Sequence, residues 1–481
     1  MLFNSIDFLF FLPLVFLLYW FVFQRKLTYQ NILLLVASYF FYSCWDWRFL
    51  FLLIFSTLLD YFSGIKIFNS NSLIERKIWL WISITINLGF LAVFKYFNFF
   101  IDSFVSLFAQ LGFVIDVWAL NVILPVGISF YTFHGLSYVI DVYKKRIDVE
   151  RNFIDYSLFV SFFPLLVAGP IERATHLLPQ IKSDRRFDYQ LSVDGLRQIL
   201  WGFFKKIVIA DQCAIYANQI FDNSADYTGS TLVLGAIFFA FQIYGDFSGY
   251  SDIALGTAKL FGIRLLKNFS FPYFSKDIAE FWRRWHISLS TWFKDYLYIP
   301  LGGSRGNLSL KIRNTFIIFI VSGFWHGANW TFIAWGFLNA LFIIPSIIFN
   351  SNRNNLNIVA LDRTFPTLRE VAMIFVTFSL TTFAWIFFRS PDIKFAFNYV
   401  SNIFDVNLFS LPEIHPLITI ALVLFFILIE WFGRRGEFAL SDLFIDKPSW
   451  IRLSFYYLIL ISIVVALIYS EGQDQFIYFQ F

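Results

Sequence analysis

Two histidines stand forty residues apart in stretches whose neighbours set them off from the rest of the chain. His286 lies in FWRRWHISLSTWFKDYLYIPLGGSR, Phe281 to Arg305, where charged residues crowd among tryptophans. His326 lies in GFWHGANW, Gly323 to Trp330, inside an apolar segment. An imidazole suits proton transfer near neutral pH, and burial keeps it neutral and able to act as a base. Gly327 and Ala328 leave room beside His326, and Asn329 adds a hydrogen-bonding amide. Around His286, Arg283, Arg284 and Lys294 read as a basic cradle for an anionic carrier, because guanidinium matches phosphate oxygens. Helical spacing puts Arg283 and His286 on one face, which Ser290 extends. The same stretch also reads as an interfacial helix, with Trp282, Trp285 and Trp292 at headgroup level and its arginines snorkelling to the polar side.

Two further clusters place polar residues at membrane depth, where each ionisable group is costly and therefore a functional candidate. LPVGISFYTFHGLSYVIDVY, Leu124 to Tyr143, carries His134 behind a Pro125–Gly127 break. It is read either as a histidine bonded between helices or as a wall of the substrate path. FQIYGDFSGYSDIALG, Phe241 to Gly256, carries Tyr244 and Asp246 among glycines. Close helix packing and a polar tunnel wall both fit it. No metal is expected, since no His-x-x-x-His or Cys-x-x-Cys spacing occurs. A phosphate-cradling glycine loop is absent too, and a serine nucleophile is not expected.

The elements that must hold these residues are helices in a bilayer. The 481 residues are 58% hydrophobic and 15% charged, against about 25% charged in a typical soluble domain. Apolar runs near the length needed to cross a bilayer recur along the chain. They predict an all-α polytopic membrane protein with about 11 transmembrane helices plus re-entrant or interfacial pieces. The runs are Ile6–Phe23, about Asn31–Tyr42, Phe49–Ile67, Ile78–Phe100, about Asn121–Val142, Thr231–Tyr244, Ile312–Phe349 (one helix broken near Gly323, or two), Val371–Phe388, Leu417–Phe432 and Leu453–Tyr469. The first run, lacking a preceding Lys or Arg and a cleavage site, reads as a helix and not a signal peptide. Tyr156–Ala168 is short enough to be re-entrant, and Ile199–Ile220, interrupted by Lys205, Lys206 and Asp211, reads as partly interfacial. Basic clusters at 25–26, 66–77 and 144–151, if cytoplasmic, put the N-terminus outside. With no fixed-period repeat, residues 1–481 read as one membrane domain. The scattered basic residues give no nucleic-acid footprint, and Cys44 and Cys213 read as small core residues.

With these motifs in view, the chain resembles the membrane-bound O-acyltransferase family, in its bacterial alginate O-acetyltransferase branch. That branch also includes peptidoglycan O-acetylating and teichoic-acid D-alanylating members. The resemblance rests on the 124–143 and 241–256 motifs, FFPLLVAGPIER (Phe162 to Arg173), the 281–305 stretch and GFWHGANWTFIAWG (Gly323 to Gly336). Together they span roughly residues 124 to 340. It implies a funnel-like helical core with an essential histidine at His326 and a second polar position at His286. It also implies O-acylation of an exported or cell-wall polysaccharide, alginate-like or peptidoglycan. The donor would be a cytoplasmic acyl thioester, acetyl-CoA foremost, used as a substrate with no permanently bound cofactor. A bacterial inner-membrane location and a periplasmic or secreted acetyltransferase partner follow from the same likeness. A polytopic transporter without transferase chemistry is the competing class.

Overall fold

The structure is a computed structural model, and it describes residues 1–113, 125–167, 169–404 and 408–469. Every regular element among them is helical, and seven helical runs are long and apolar enough to cross a membrane. These are Arg48–Asn69, Leu73–Gln110, Gly229–Leu260, Leu308–His326, Trp330–Ile348, Leu368–Arg389 and Ser449–Tyr469, joined by the shorter apolar helices Ile6–Val22 and Leu417–Gly433. Leucines, isoleucines and valines cover much of the outer surface of the last long run, where only Ile459 and Ile463 are buried. So large an apolar face belongs against hydrocarbon. The protein is a multi-pass, all-α membrane protein.

The chain divides into two compact units, Met1–Ser192 with Thr257–Leu266, and Val193–Gly256 with Lys267 onward. The first unit is built from α1 (Ile6–Leu17), α2 (Leu27–Ser43), α3 (Arg48–Asn69), α4 (Leu73–Leu91), α5 (Phe97–Gln110), α6 (Ile128–Tyr143), α7 (Phe153–Ser161), α8 (Phe163–Leu166) and α9 (Ala174–Lys182). The crossing expected from about Asn121 starts in residues 114–124, outside the described residues. Its described part is α6, entered through Gly127 in a left-handed conformation. A Cβ at Gly127 would run into the Leu166 carbonyl, so glycine serves here both for φ and for closeness. The expected re-entrant segment is the short, buried pair α7 and α8. Cys213 is buried as expected, whereas Cys44 is exposed at the end of α2.

The second unit takes in most of α10 (Tyr189–Phe203) and α11 (Asp211–Asp222), the bulk of α12 (Gly229–Leu260), α13 (Ile278–Arg284), α14 (Ile287–Phe293), α15 (Leu308–His326), α16 (Trp330–Ile348), α17 (Leu368–Arg389), α18 (Ile393–Ile403), α19 (Leu417–Gly433) and α20 (Ser449–Tyr469). Side chains fix several of the starts. Asp277 caps α13 through Glu280 N at 2.7 Å, Asn307 caps α15 through Leu310 N at 2.9 Å, and Thr367 with Glu370 forms a capping box on α17.

Two expectations are corrected here. The apolar stretch 312–349 is two helices, which was one of its two readings, but the break falls at Gly327–Asn329 and not at Gly323. Gly323 and Gly336 instead let α15 and α16 touch: a Cβ on either would overlap a backbone carbonyl of the other helix. The 281–305 stretch is not one helix, so Arg283 and His286 do not share a helical face. Within the run 199–220, Lys205 and Lys206 are turned inward. Residues 204–210 form a wide π turn whose every residue is buried, because Lys205 and Lys206 meet carboxylates on α12.

Candidate active site

The site begins with the turn between α13 and α14. Trp285 N still donates to Phe281 O at 2.8 Å, closing α13, and the chain then reverses at His286 with φ +43°. A left-handed non-glycine residue is uncommon, and histidine is among the types that tolerate it. The strand of chain just before α13 straps this turn: Ile287 N donates to Asn268 O at 2.9 Å and Ser270 N to Arg284 O at 3.0 Å. Asn268 also holds the imidazole. Its Oδ1 accepts from Ser288 Oγ at 2.6 Å and lies 3.3 Å from His286 Nδ1. A carbonyl oxygen there calls for an Nδ1–H donor, which leaves Nε2 as a bare acceptor. Nε2 is buried and has no hydrogen-bond partner among the described residues.

His326 is the last residue of α15, after which Gly327 turns the backbone to an extended conformation. Gly327 has to be small, since a Cβ there would overlap the ring of Phe332. The His326 ring sits in an aromatic box. Its centroid is 4.9 Å from Trp325, 5.2 Å from Trp335 and 5.4 Å from Phe388. Trp335 stacks on Trp385 at 5.5 Å, which ties α16 to α17 behind the histidine.

The two histidines come together in this unit, with ring centroids 6.4 Å apart. Trp325 packs against both rings, and Phe247 of α12 closes the far side of His286 at 4.7 Å. Both imidazoles are almost fully buried, at 1% and 4% exposure. Two buried imidazoles, one with an open ring nitrogen, can exchange a proton with a hydroxyl brought between aromatic walls that exclude water.

The remaining expected residues fall in different places. Arg283 donates to the carbonyls of Asn352 and Asn355, both at 2.8 Å, and Arg284 pairs with Glu280 at 2.9 Å. Both guanidinium groups are thus engaged by the protein. Lys294 is exposed and lines a cavity of about 580 Å3. Tyr244 donates to Glu430, and its ring lies 5.9 Å from Trp285. Asp246 pairs with Lys206 at 2.8 Å. Asn329 caps α16 through Thr331 N at 3.0 Å and donates to Pro391 O at 2.7 Å, so its amide serves the loop rather than the His326 ring. His134 belongs to the first unit, where Nδ1 lies 3.4 Å from Val160 O and the ring packs near Phe159. This is the interhelical bond that was one of its two readings.

A Gly-x-Ser-x-Gly spacing does occur, at Gly302–Gly306. It lies in the loop before α15 with no strand leading into it, so the strained strand-to-helix elbow that would activate Ser304 is missing. Asn268, Trp385 and Glu430 were not anticipated. Glu430 gave a signal, as a carboxylate inside the apolar run 417–432. Asn268 gave none, being one asparagine in an irregular stretch.

Residues 143–388 match the model of the membrane-bound O-acyltransferase family. The chain is 38% identical over 442 residues to a probable alginate O-acetylase AlgI of Pseudomonas aeruginosa, covering 90% of this chain and 82% of that one. It is 32% identical over 531 residues to a peptidoglycan O-acetyltransferase of Helicobacter pylori, covering 100% and 98%. A teichoic acid D-alanyltransferase of Streptococcus thermophilus is 31% identical over 238 residues, 46% of this chain and 56% of that one.

Proposed function

The chain belongs to the membrane-bound O-acyltransferase family and is an O-acyltransferase, and from that premise we propose that it O-acetylates an exported or cell-wall polysaccharide. The relatives act, by their names, on alginate and on peptidoglycan, and an alginate-like acceptor or peptidoglycan is the acceptor class put forward here. The donor is an acyl thioester, acetyl-CoA foremost, reaching the site from the cytoplasmic face of a bacterial inner membrane. A periplasmic partner that finishes the transfer fits the same scheme. The observation that carries the reading is the pair of buried histidines, 6.4 Å apart, sharing Trp325.

In the reaction, His326 takes the proton from the acceptor hydroxyl as that oxygen attacks the thioester carbonyl. The carbon–oxygen bond forms, the carbon–sulfur bond breaks, and the proton passes from His326 to the departing thiolate. His286, with Nδ1–H held by Asn268, offers Nε2 as an acceptor to a second, neighbouring hydroxyl of the sugar and so orients the acceptor. Polarising the carbonyl would need a donor at that nitrogen, so His286 is assigned to the acceptor side of the reaction.

The test is transfer of labelled acetyl from acetyl-CoA by the purified full chain to alginate and to peptidoglycan fragments, with and without a periplasmic fraction. His326→Ala at matched membrane level should abolish label incorporation. Wild-type incorporation by that variant would refute the assignment.

A further inference from the structure

The second unit carries an apolar groove of about 460 Å3 between α12, α17 and α19. α12 and α17 are candidate spans and α19 is one of the shorter apolar helices, so the groove lies at membrane depth. Val371, Phe375 and Leu424 line it and are exposed, which puts its rim against the hydrocarbon of the bilayer. Its polar lining residues are engaged by the protein: Tyr244 donates to Glu430, and Tyr273 donates to Ala240 O at 2.7 Å. Among the described residues no basic side chain lines it, so nothing there selects a phosphate or another anion. A hollow with such walls stays dry and takes apolar ligands.

Its dimensions select the occupant. α12 lines the groove from Leu234 to Tyr244 and α19 from Ile420 to Glu430. Ten helical steps of about 1.5 Å make about 15 Å. That is half of a hydrocarbon core about 30 Å thick, the depth of one leaflet. A partner helix seated in it, about 10–12 Å across with its side chains, would need more than about 1,000 Å3 over that length. A hydrocarbon chain is slimmer, and the bilayer supplies it at the rim. Passing from bilayer to groove gives such a chain no hydrophobic gain. What it restores is the dispersion contact that the walls of an empty hollow forfeit.

The floor of the groove is also the back of the histidine site. Phe378 packs edge-on against Tyr273 at 5.1 Å, and Phe241 lies 5.7 Å from the same ring. Tyr273 and Tyr244 in turn stand 6.0 and 5.9 Å from Trp285, the residue before His286. We propose that the groove binds one acyl chain of a bilayer phospholipid, and that this chain braces Tyr273 and Tyr244 against Trp285 and so supports transfer. The two tyrosines and Trp285 stand between the chain and His286, so the chain is a structural ligand and not the group transferred. Binding of the chain is independent of the acetyl-transfer reading, whereas its effect on transfer rests on that reading.

The experiment purifies the full chain in detergent, strips it of lipid and returns phosphatidylglycerol of defined chain length. Native mass spectrometry counts the bound lipid, and transfer of labelled acetyl from acetyl-CoA is measured on the same samples. Wild type should retain the dipalmitoyl lipid, and its transfer should rise several-fold when that lipid is returned. The dihexanoyl lipid, whose chains span less than half of the groove, should do neither. Leu424→Trp and Ile237→Trp, which fill the groove from two different helices, should each lower the retained fraction on the order of tenfold and cancel the rise in transfer. Val376→Trp, exposed on α17 outside the groove, should behave as wild type, and melting curves check that each variant folds. Retention equal to wild type in both groove variants overturns the site. So does a wild type that retains no lipid, that holds the dihexanoyl form equally well, or that carries a polypeptide there instead. Loss of the chain with transfer unchanged overturns the bracing. Chain binding without acetyl transfer from any thioester removes the acetyl-transfer reading alone and leaves the chain site standing.

Discussion

Asn268 Oδ1 accepts from Ser288 and lies 3.3 Å from His286 Nδ1, so one asparagine eighteen residues upstream sets which nitrogen of that imidazole is free. Substituting Asn268 with Ala should therefore act through His286. Transfer should fall about tenfold through kcat, with His286→Ala costing on the order of 10²-fold, the scale set by a misplaced reacting group. Asn268→Ala combined with His286→Ala should be no worse than His286→Ala alone. Additive losses in that cycle would show that Asn268 acts elsewhere.

Gly327→Ala places a methyl on the ring of Phe332, which itself packs edge-on against Phe388 at 4.8 Å. Overpacking of this kind costs about 1–3 kcal/mol. The purified variant should melt at a lower temperature and lose activity, because Phe388 also walls His326. Phe332→Leu in the same chain should recover part of both. A melting temperature equal to wild type for Gly327→Ala would contradict the packing described.

Lys206 bridges Asp246 and Asp211, each at 2.8 Å, from inside the protein. Removing one partner of a buried pair leaves an uncompensated charge and costs about 3–5 kcal/mol. Lys206→Met should accordingly destabilise the protein severely, and Lys206→Met with Asp246→Leu should be more stable than Lys206→Met alone. Thermal unfolding in detergent reads both. Equal melting of Lys206→Met and wild type would mean the pair is not buried as described.

His176, on α9 outside the candidate spans, accepts the company of Glu172 at 2.8 Å, which raises its pKa above the ordinary 6.5. The folded value being the higher one, protonated His176 stabilises the fold fully below pH 6.5, and that contribution fades as pH rises through the folded value. Its side chain is 37% exposed, so the effect is small, about 1 kcal/mol or less. Wild type should lose slightly more melting temperature than His176→Gln between pH 6 and 8.5. An identical pH dependence in the two proteins would argue against the pair.

The candidate site was legible because its residues are out of place in their surroundings. A histidine flanked by glycine in a phenylalanine-rich segment, and a charged tryptophan-rich stretch, are both visible without coordinates. The caps Asn307, Asn329 and Thr367 were not anticipated, although each stands at the head of an apolar run. Spacing alone could not show that the chain reverses at His286, because the reversal is imposed from outside by residues 268–270. Nor could it show which cations are spent. Arg283 and Arg284 look like an anion cradle in sequence, and only their bonds to Asn352, Asn355 and Glu280 show that they are engaged by the protein itself. Lys205 and Lys206 appeared to interrupt a span, and the π turn that carries both inward has no sequence signature of its own.

The left-handed backbone at His286 makes the residue a compromise between two demands that chemistry usually separates. The turn would be content with glycine, whereas the proposed reaction needs the ring. This gives the site an internal control. His286→Gly and His286→Ala delete the same ring, but only glycine relaxes the φ of +43°. Whatever stability separates those two proteins is the cost of the turn. Whatever activity they lose in common is the worth of the imidazole.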